Sequence, residues 1–170
     1  ILPTSARVEF DLLSPTQVTA ASFEPGSRID LLNTSLEILS VALLENTFID
    51  TSGPSAAFLT NAPFTSGRNQ RVAITDGGLV RLELSSYLGS FGDWRTNATL
   101  LSSDGTGSML DMSSVTLIDT TGTWGRYNSY WHQILATNDG AIDLSGVATI
   151  KGSGDDEWLR FTAGAGGHID

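Results

Sequence analysis

The chain has 170 residues, with 19 acidic and 9 basic side chains, a formal charge of −10 and no cysteine. The acid excess argues against nucleic acid, which needs a basic stripe, and against an anionic membrane surface. The missing cysteines exclude a disulfide framework and a thiolate metal site, and no apolar run reaches the length of a membrane-spanning helix.

Glycine, serine and threonine are abundant, lysine occurs once (Lys151), and long helix-favouring stretches are scarce. Such a composition favours short strands and turns. The opening ILPTSARVEF has no basic segment leading into an apolar one, so no signal peptide is expected, and a mature chain or an excised segment fits it. The length suits one domain with a buried core.

In chain order, one apolar–acidic–apolar phrase keeps returning. It reads Phe10-Asp11-Leu12, then Ile29-Asp30-Leu31, then Ile49-Asp50. Later come Leu82-Glu83-Leu84, Leu110-Asp111-Met112, Ile142-Asp143-Leu144 and the terminal Ile169-Asp170. The steps from Phe10 to Ile29 and from Ile29 to Ile49 are short and nearly equal, and every step after Ile49 is longer. These unequal steps suit the coils of a β-solenoid with loops inserted in the later turns, because corners can lengthen without disturbing the ladder between coils.

Residues 1–76 are the less regular part. Within them, Thr34–Asn46 admits two readings. Thr34 and Glu37 stand at capping-box spacing, and Leu36, Leu39 and Leu43 share a helical face, so a short helix there would cap the N-terminal end. The strand reading takes Leu36, Ile38 and Val41 as one coil edge, and the short step from Ile29 to Ile49 across the segment favours it.

Residues 77–170 are more regular. The unit 140–166 contains AIDLSG, VATIKG and EWLRFTAG, three alternating runs separated by glycine-rich punctuation. The unit before it has MLDMSS, VTLIDTT and WHQILATN, and the one before that has RLELSS, YLGSFGDW and ATLLSSDG. Alternation over four to six residues marks a strand with one buried face. The expectation is an all-β single domain over 1–170: a parallel β-helix of about seven coils with three short strands each. Phe10, Leu12, Ile29, Leu31, Leu82, Leu84, Leu110, Met112, Ile142 and Leu144 should then point inward, and the acidic residue of each phrase outward. The terminal GGHID opens another such phrase. That suggests a fragment of a longer solenoid, or another chain stacked end to end on this one.

On the phrases GSRIDL, GSMLDMSS, GAIDLSG and GGHID, the chain resembles the right-handed parallel β-helix of the pectate-lyase-like superfamily. More narrowly, it resembles coils of large secreted or cell-surface bacterial repeat proteins. The resemblance covers residues 77–170 well and 1–76 loosely. It implies a structural or adhesive module, extracellular or at the cell surface, acting as a stiff spacer or self-assembling segment. The superfamily also holds lyases, hydrolases and other glycan-binding proteins, so a polysaccharide-binding or polysaccharide-degrading β-helix is the alternative.

Candidate chemistry is of three kinds. Asp11, Asp30, Asp50, Glu83, Asp111, Asp143 and Asp170 are expected to project from one outer face. There they form either a solvated row or a cation site, with Asp111 and Asp143 as calcium ligands. KGSGDDEW partly matches a calcium-binding nonapeptide through Gly152, Gly154, Asp156 and Trp158, and Asp155 and Asp156 are the acidic candidates there; an ordinary acidic turn is the other reading. TWGRYNSYWHQ gathers Trp124, Arg126, Tyr127, Tyr130, Trp131 and His132, with Trp94 on a neighbouring insertion. These rings either stack on a glycan or another partner, or fold back over the solenoid. His132 is expected on a strand's outward face, and no residue is assigned a catalytic role.

Overall fold

The computed structural model describes residues 7–9, 15–19, 21–23, 26–64, 67–89, 97–120, 130–152 and 157–170. Every element among them is a strand, and there is no helix. The chain begins with β1 (Arg7–Glu9), β2 (Thr16–Val18) and β3 (Ala21–Phe23). It continues with β4 (Arg28–Leu32), β5 (Ser35–Ile38) and β6 (Val41–Leu44), then β7 (Phe48–Ser52), β8 (Ala57–Thr60) and β9 (Gly67–Arg68). Next come β10 (Arg71–Thr75), β11 (Leu79–Arg81) and β12 (Ser86–Leu88), then β13 (Ala98–Asp104), β14 (Met109–Asp111) and β15 (Leu117–Asp119). The last are β16 (Tyr130–Thr137), β17 (Ala141–Asp143), β18 (Thr149–Lys151), β19 (Glu157–Gly164) and β20 (His168–Ile169).

Every third strand pairs, always in parallel. Sheet 1 runs β1-β4-β7-β10-β13-β16-β19, and sheet 2 runs β2-β5-β8-β11-β14-β17-β20. The third side is split into β3-β6 and β9-β12-β15-β18. The protein is therefore all-β with parallel sheets, an arrangement compatible with a β-helix.

The sheets hold because alternation puts the same kind of residue in the same row of each strand. In sheet 1 the register runs Val8, Ile29, Ile49, Val72, Leu101, Ile134, Phe161. In sheet 2 it runs Thr16, Leu36, Phe58, Val80, Leu110, Ile142, Ile169. Between the first and last members these rows are almost wholly buried. The sequence expectation for the interior holds at Ile29, Leu31, Leu82, Leu84, Leu110, Met112, Ile142 and Leu144, all buried. Phe10 and Leu12 lie outside the described residues.

The segment Thr34–Asn46 forms strands, β5 and β6. Leu36 and Ile38 face the core on alternate positions, while Leu39, which the helical reading would place beside Leu36, is 37 % exposed. Long-range pairing with β8 on one side and β2 on the other outweighs the local capping signal.

Corner geometry explains the glycine-rich punctuation. From β4 onward, each corner from sheet 1 to sheet 2 carries a left-handed residue: Asn33, Gly53, Asp76, Gly105, Asn138 and Ala165. Asparagine, aspartate and glycine accept that conformation at least cost. After β2, the position just before each sheet 2 strand is small: Thr34, Ala56, Gly78, Ser108, Gly140, Gly167. The reason is a backbone packed underneath. A Cβ on Gly140 would sit 2.4 Å from the carbonyl oxygen of Ser103. Where the residue is Ser108, its hydroxyl becomes part of the turn, donating to the Asp104 carbonyl at 2.6 Å and accepting from the Gly77 N–H at 3.0 Å.

The opposite corner is held by polar side chains. Asn69 donates its amide to Asn46 Oδ1 at 2.7 Å, and the buried Gln70 donates to the Leu44 carbonyl. The Tyr87 hydroxyl donates to the Gln70 carbonyl at 2.7 Å, and burial pushes its phenol well above the ordinary tyrosine range. Buried polar groups of this kind fix one arrangement, because each costs about 1–3 kcal/mol if left unpaired.

Replacing Gly140 by alanine should lower stability by about 1–3 kcal/mol, since the clash is with backbone and cannot be relieved by a side-chain rotation. Gly152→Ala meets nothing within 4 Å and should be near neutral. Urea-unfolding midpoints of the two variants, measured side by side, check this.

Candidate functional site

The longest ladder among the described strands joins β16 and β19, pairing them from Tyr130–Glu157 to Thr137–Gly164. Alternation turns His132, Ile134 and Ala136 toward the core and Trp131 away from it. In register with them, Trp158 lies beside Trp131 and Arg160 beside Gln133. The Arg160 guanidinium sits 4.9 Å from the centroid of the Trp131 ring, a cation–π contact worth about 0.5–1 kcal/mol at such a surface. Trp158 is 61 % exposed. The backbone under Trp131 is anchored, because its N–H donates to Asn97 Oδ1 at 2.9 Å. Two indoles and a guanidinium thus share one outer face, on a rigid strand pair.

Of the aromatic-loop residues read from the sequence, Trp131 lies on this face. Tyr130 precedes it in β16, in register with Glu157. His132 is turned inward and is only 3 % exposed, contrary to the outward placement expected from sequence. The reason is parity: with Ile134 and Ala136 committed to the core, the residue two positions before Ile134 must follow them. Trp94, Trp124, Arg126 and Tyr127 lie outside the described residues. Sequence reading missed Trp158 and Arg160 as companions of Trp131. The usable signal was the spacing: Trp131 and Trp158 are separated by the same step as Ile142 and Ile169.

The acidic phrase does not make one column. Asp30 and Asp50 are neighbours in sheet 1, in a row that runs Glu9, Asp30, Asp50, Ala73. Asp111 and Asp143 are neighbours in sheet 2, in a row that runs Gln17, Glu37, Leu59, Arg81, Asp111, Asp143. Leu110 is in register with Val80, not with Leu82, so the phrase at Leu82-Glu83 stands one alternation out of step. Asp11 lies outside the described residues. Identical short phrases on two different sheets look alike because both sheets need the same inward–outward–inward pattern.

The carboxylates have local work. Ser113 donates to Asp111 Oδ1 from its hydroxyl at 2.7 Å and from its backbone N–H at 3.2 Å, and the Ser145 N–H donates to Asp143 Oδ1 at 2.9 Å. The repeated Asp-x-Ser is therefore a side-chain-to-backbone turn that ends the strand. Arg81, one strand back in the same row, donates its Nε to Asp111 Oδ2 at 3.0 Å. Partial burial pushes the Asp111 carboxyl up, but the Ser113 hydrogen bonds and Arg81 outweigh it and hold the group below the usual aspartate range. In sheet 1, Arg28 donates to Asp30 at 2.7 Å and pairs with Asp50. Burial, reinforced by the neighbouring Asp30, pushes the Asp50 carboxyl up against the pull of Arg28.

Among the described residues no three His, Asp or Glu side chains gather where they could hold a metal ion. Asp155 and Asp156 lie outside those residues. No protein-family model, curated protein or solved structure matches this chain.

Because Asp111 is held below its unfolded value, it stabilises the fold above about pH 4 and loses that contribution as pH falls through its folded value. Asp111→Ala should cost about 1 kcal/mol at pH 6, and the gap from the parent should narrow at pH 3. Denaturant titrations at the two pH values measure both numbers.

Proposed function

We propose that the chain is a right-handed parallel β-helix of about seven coils, three strands to a coil, and that it serves as a stiff structural or adhesive module of a large extracellular or cell-surface bacterial protein. In this reading its ends meet neighbouring coils or chains, and its partners are reached along an outer face. One observation carries the proposal: in sheets 1 and 2 every third strand adds in parallel to the same sheet, and between the first and last members the inward rows are apolar and buried. Such a ladder resists bending because successive strands are bonded without a break along two sides and along most of the third. The acidic composition and the absence of cysteine support a surface-exposed bacterial setting. The resemblance of its glycine-acidic phrases to coils of cell-surface repeat proteins supports it too.

A second reading, glycan binding, is favoured by one feature: Trp131, Trp158 and Arg160 on a single outer face. Flat rings beside a fixed polar group suit the apolar face and hydroxyls of a pyranose. Neither reading assigns a catalytic residue.

Three measurements separate these statements. Met109 and Ala141 are register partners on the outer face of sheet 2, so a Met109→Cys/Ala141→Cys chain should close an intramolecular disulfide on mild oxidation. Failure of that bond to form would remove the coil stacking. Antibody to the chain should label intact source cells under the surface-module reading, and labelling only after permeabilisation would overturn it. A glycan array should be silent for a spacer; specific binding that Trp158→Ala abolishes without lowering the melting temperature would establish the second reading instead.

A further inference from the structure

The outer rows of sheet 1 carry Arg28, Asp30, Asp50 and Arg71, and those of the third side carry Asp119 and Lys151. Sheet 2 has one outer row of a different kind. From β5 to β17, Ser35, Ala57, Leu79, Met109 and Ala141 follow one another in register, rung by rung, each partly exposed and none charged. Leu59, also partly exposed, widens this strip from the adjoining row.

The strip lies within the ladder and not at its ends. β8, β11, β14 and β17 are each hydrogen-bonded to a strand on both edges, so their backbones offer nothing to an added strand. A partner must meet this face with side chains. Rungs repeat about every 4.8 Å, and a helix rises about 5.4 Å per turn. A helix lying along the stack therefore sets about one turn on each rung. Its apolar stripe, recurring every three or four residues, would run along the strip from Ala57 to Ala141.

Charge selects which helix. Glu37, Asp111 and Asp143 stand in the row on one side of the strip. Asp76 and Asp139, both exposed, stand in the corners on the other side. Arg81 shares the first of these borders, and it donates to Asp111. A second copy presenting the same strip would bring the same acidic borders and be repelled, as would an anionic membrane surface. Lysine and arginine flanking an apolar stripe would be drawn in. We infer that the outer face of sheet 2 is a docking surface for a basic amphipathic helix of a partner protein, laid along the axis of the stack. Its apolar stripe rests on Ala57, Leu79, Met109 and Ala141, and its cations reach the carboxylates on either side.

This goes beyond the module reading and does not need it. It requires only the sheet 2 register, and it holds wherever the chain resides.

Two synthetic peptides of about 18 residues, or five helical turns, test the surface. One sets leucine and lysine at helical spacing, and the other has the same composition in scrambled order. Their charge is equal, so only the first matches the strip. In fluorescence anisotropy the parent chain should bind the amphipathic peptide at least about tenfold more tightly than the scramble, and added salt should weaken that binding. Met109→Lys and Ala57→Lys, at separate rungs of the strip, should each weaken it about tenfold while keeping the parent's circular dichroism. Leu117→Lys makes the same kind of change at a partly exposed position on the third side, and it should weaken binding less than about twofold. Equal affinity for the two peptides, or equal losses from lysine on the strip and at position 117, would overturn the inference.

Discussion

Everything in this protein depends on the register of parallel strands that are far apart in sequence. A strand in sheet 1 finds its partner a whole circuit further along the chain. The circuit from Ile29 to Ile49 is the shortest in that row and the one from Leu101 to Ile134 the longest. The register survives such differences because only the inward rows have to match. A slip of one residue would turn a whole strand's apolar set to water. A slip of two would leave the inward row intact but shift the corner, where a left-handed residue and a small residue must sit over a packed backbone. Interior and corner together leave one register. Length differences are then absorbed outside the ladder, with two exceptions: the β3–β6 pair shifts register after Ala21, and in sheet 1 β13 carries an irregularity between Thr99 and Leu101, where both Leu100 and Leu101 are buried. The extra residue in β13, tucked into the core, re-phases the strand as β-bulges do.

The same register disposes of the charges. Parallel in-register strands set like residues side by side, and a chain this acidic would stack carboxylates about 5 Å apart along a face. Asp30 and Asp50 are stacked in this way, as are Asp111 and Asp143, and the repulsion is offset by two means. Arg28 sits one outward position before Asp30 and reaches both Asp30 and Asp50, and Arg81 precedes Asp111 in its row. Where no arginine is in place, the carboxylate is turned onto its own backbone, as Asp143 is by the Ser145 N–H. At Asp111 and Asp143 the acidic phrase ends a strand, whereas Asp30 and Asp50 sit mid-strand beside Arg28.

Much of the fold was legible because period-two alternation is a local signal. The three runs in residues 140–166 are the strands β17, β18 and β19, and the unit before them divides into β14, β15 and β16, whereas in the unit before that the run RLELSS meets β11 only at Arg81. What could not be read was which sheet a phrase belongs to. Ile29-Asp30-Leu31 and Ile142-Asp143-Leu144 are indistinguishable one at a time, yet they lie on different sheets. The site was less legible still. Trp131 stood out by composition, but Trp158 and Arg160 join it only through the β16–β19 register, and His132 is withdrawn from it by parity. Both facts follow from aligning WHQIL with WLRFT, which requires the rung length before it is known.

A stack of this kind cannot be assembled piecemeal. No described strand pairs with the strand next to it in sequence, so the first two circuits must form together before either gains anything. Loop closure over a full circuit opposes that step. Once a pair exists, each further circuit adds burial at one end and exposes the next edge. Each circuit is thus held by the one before it, and the buried rows of sheets 1 and 2 grow by one apolar member per turn.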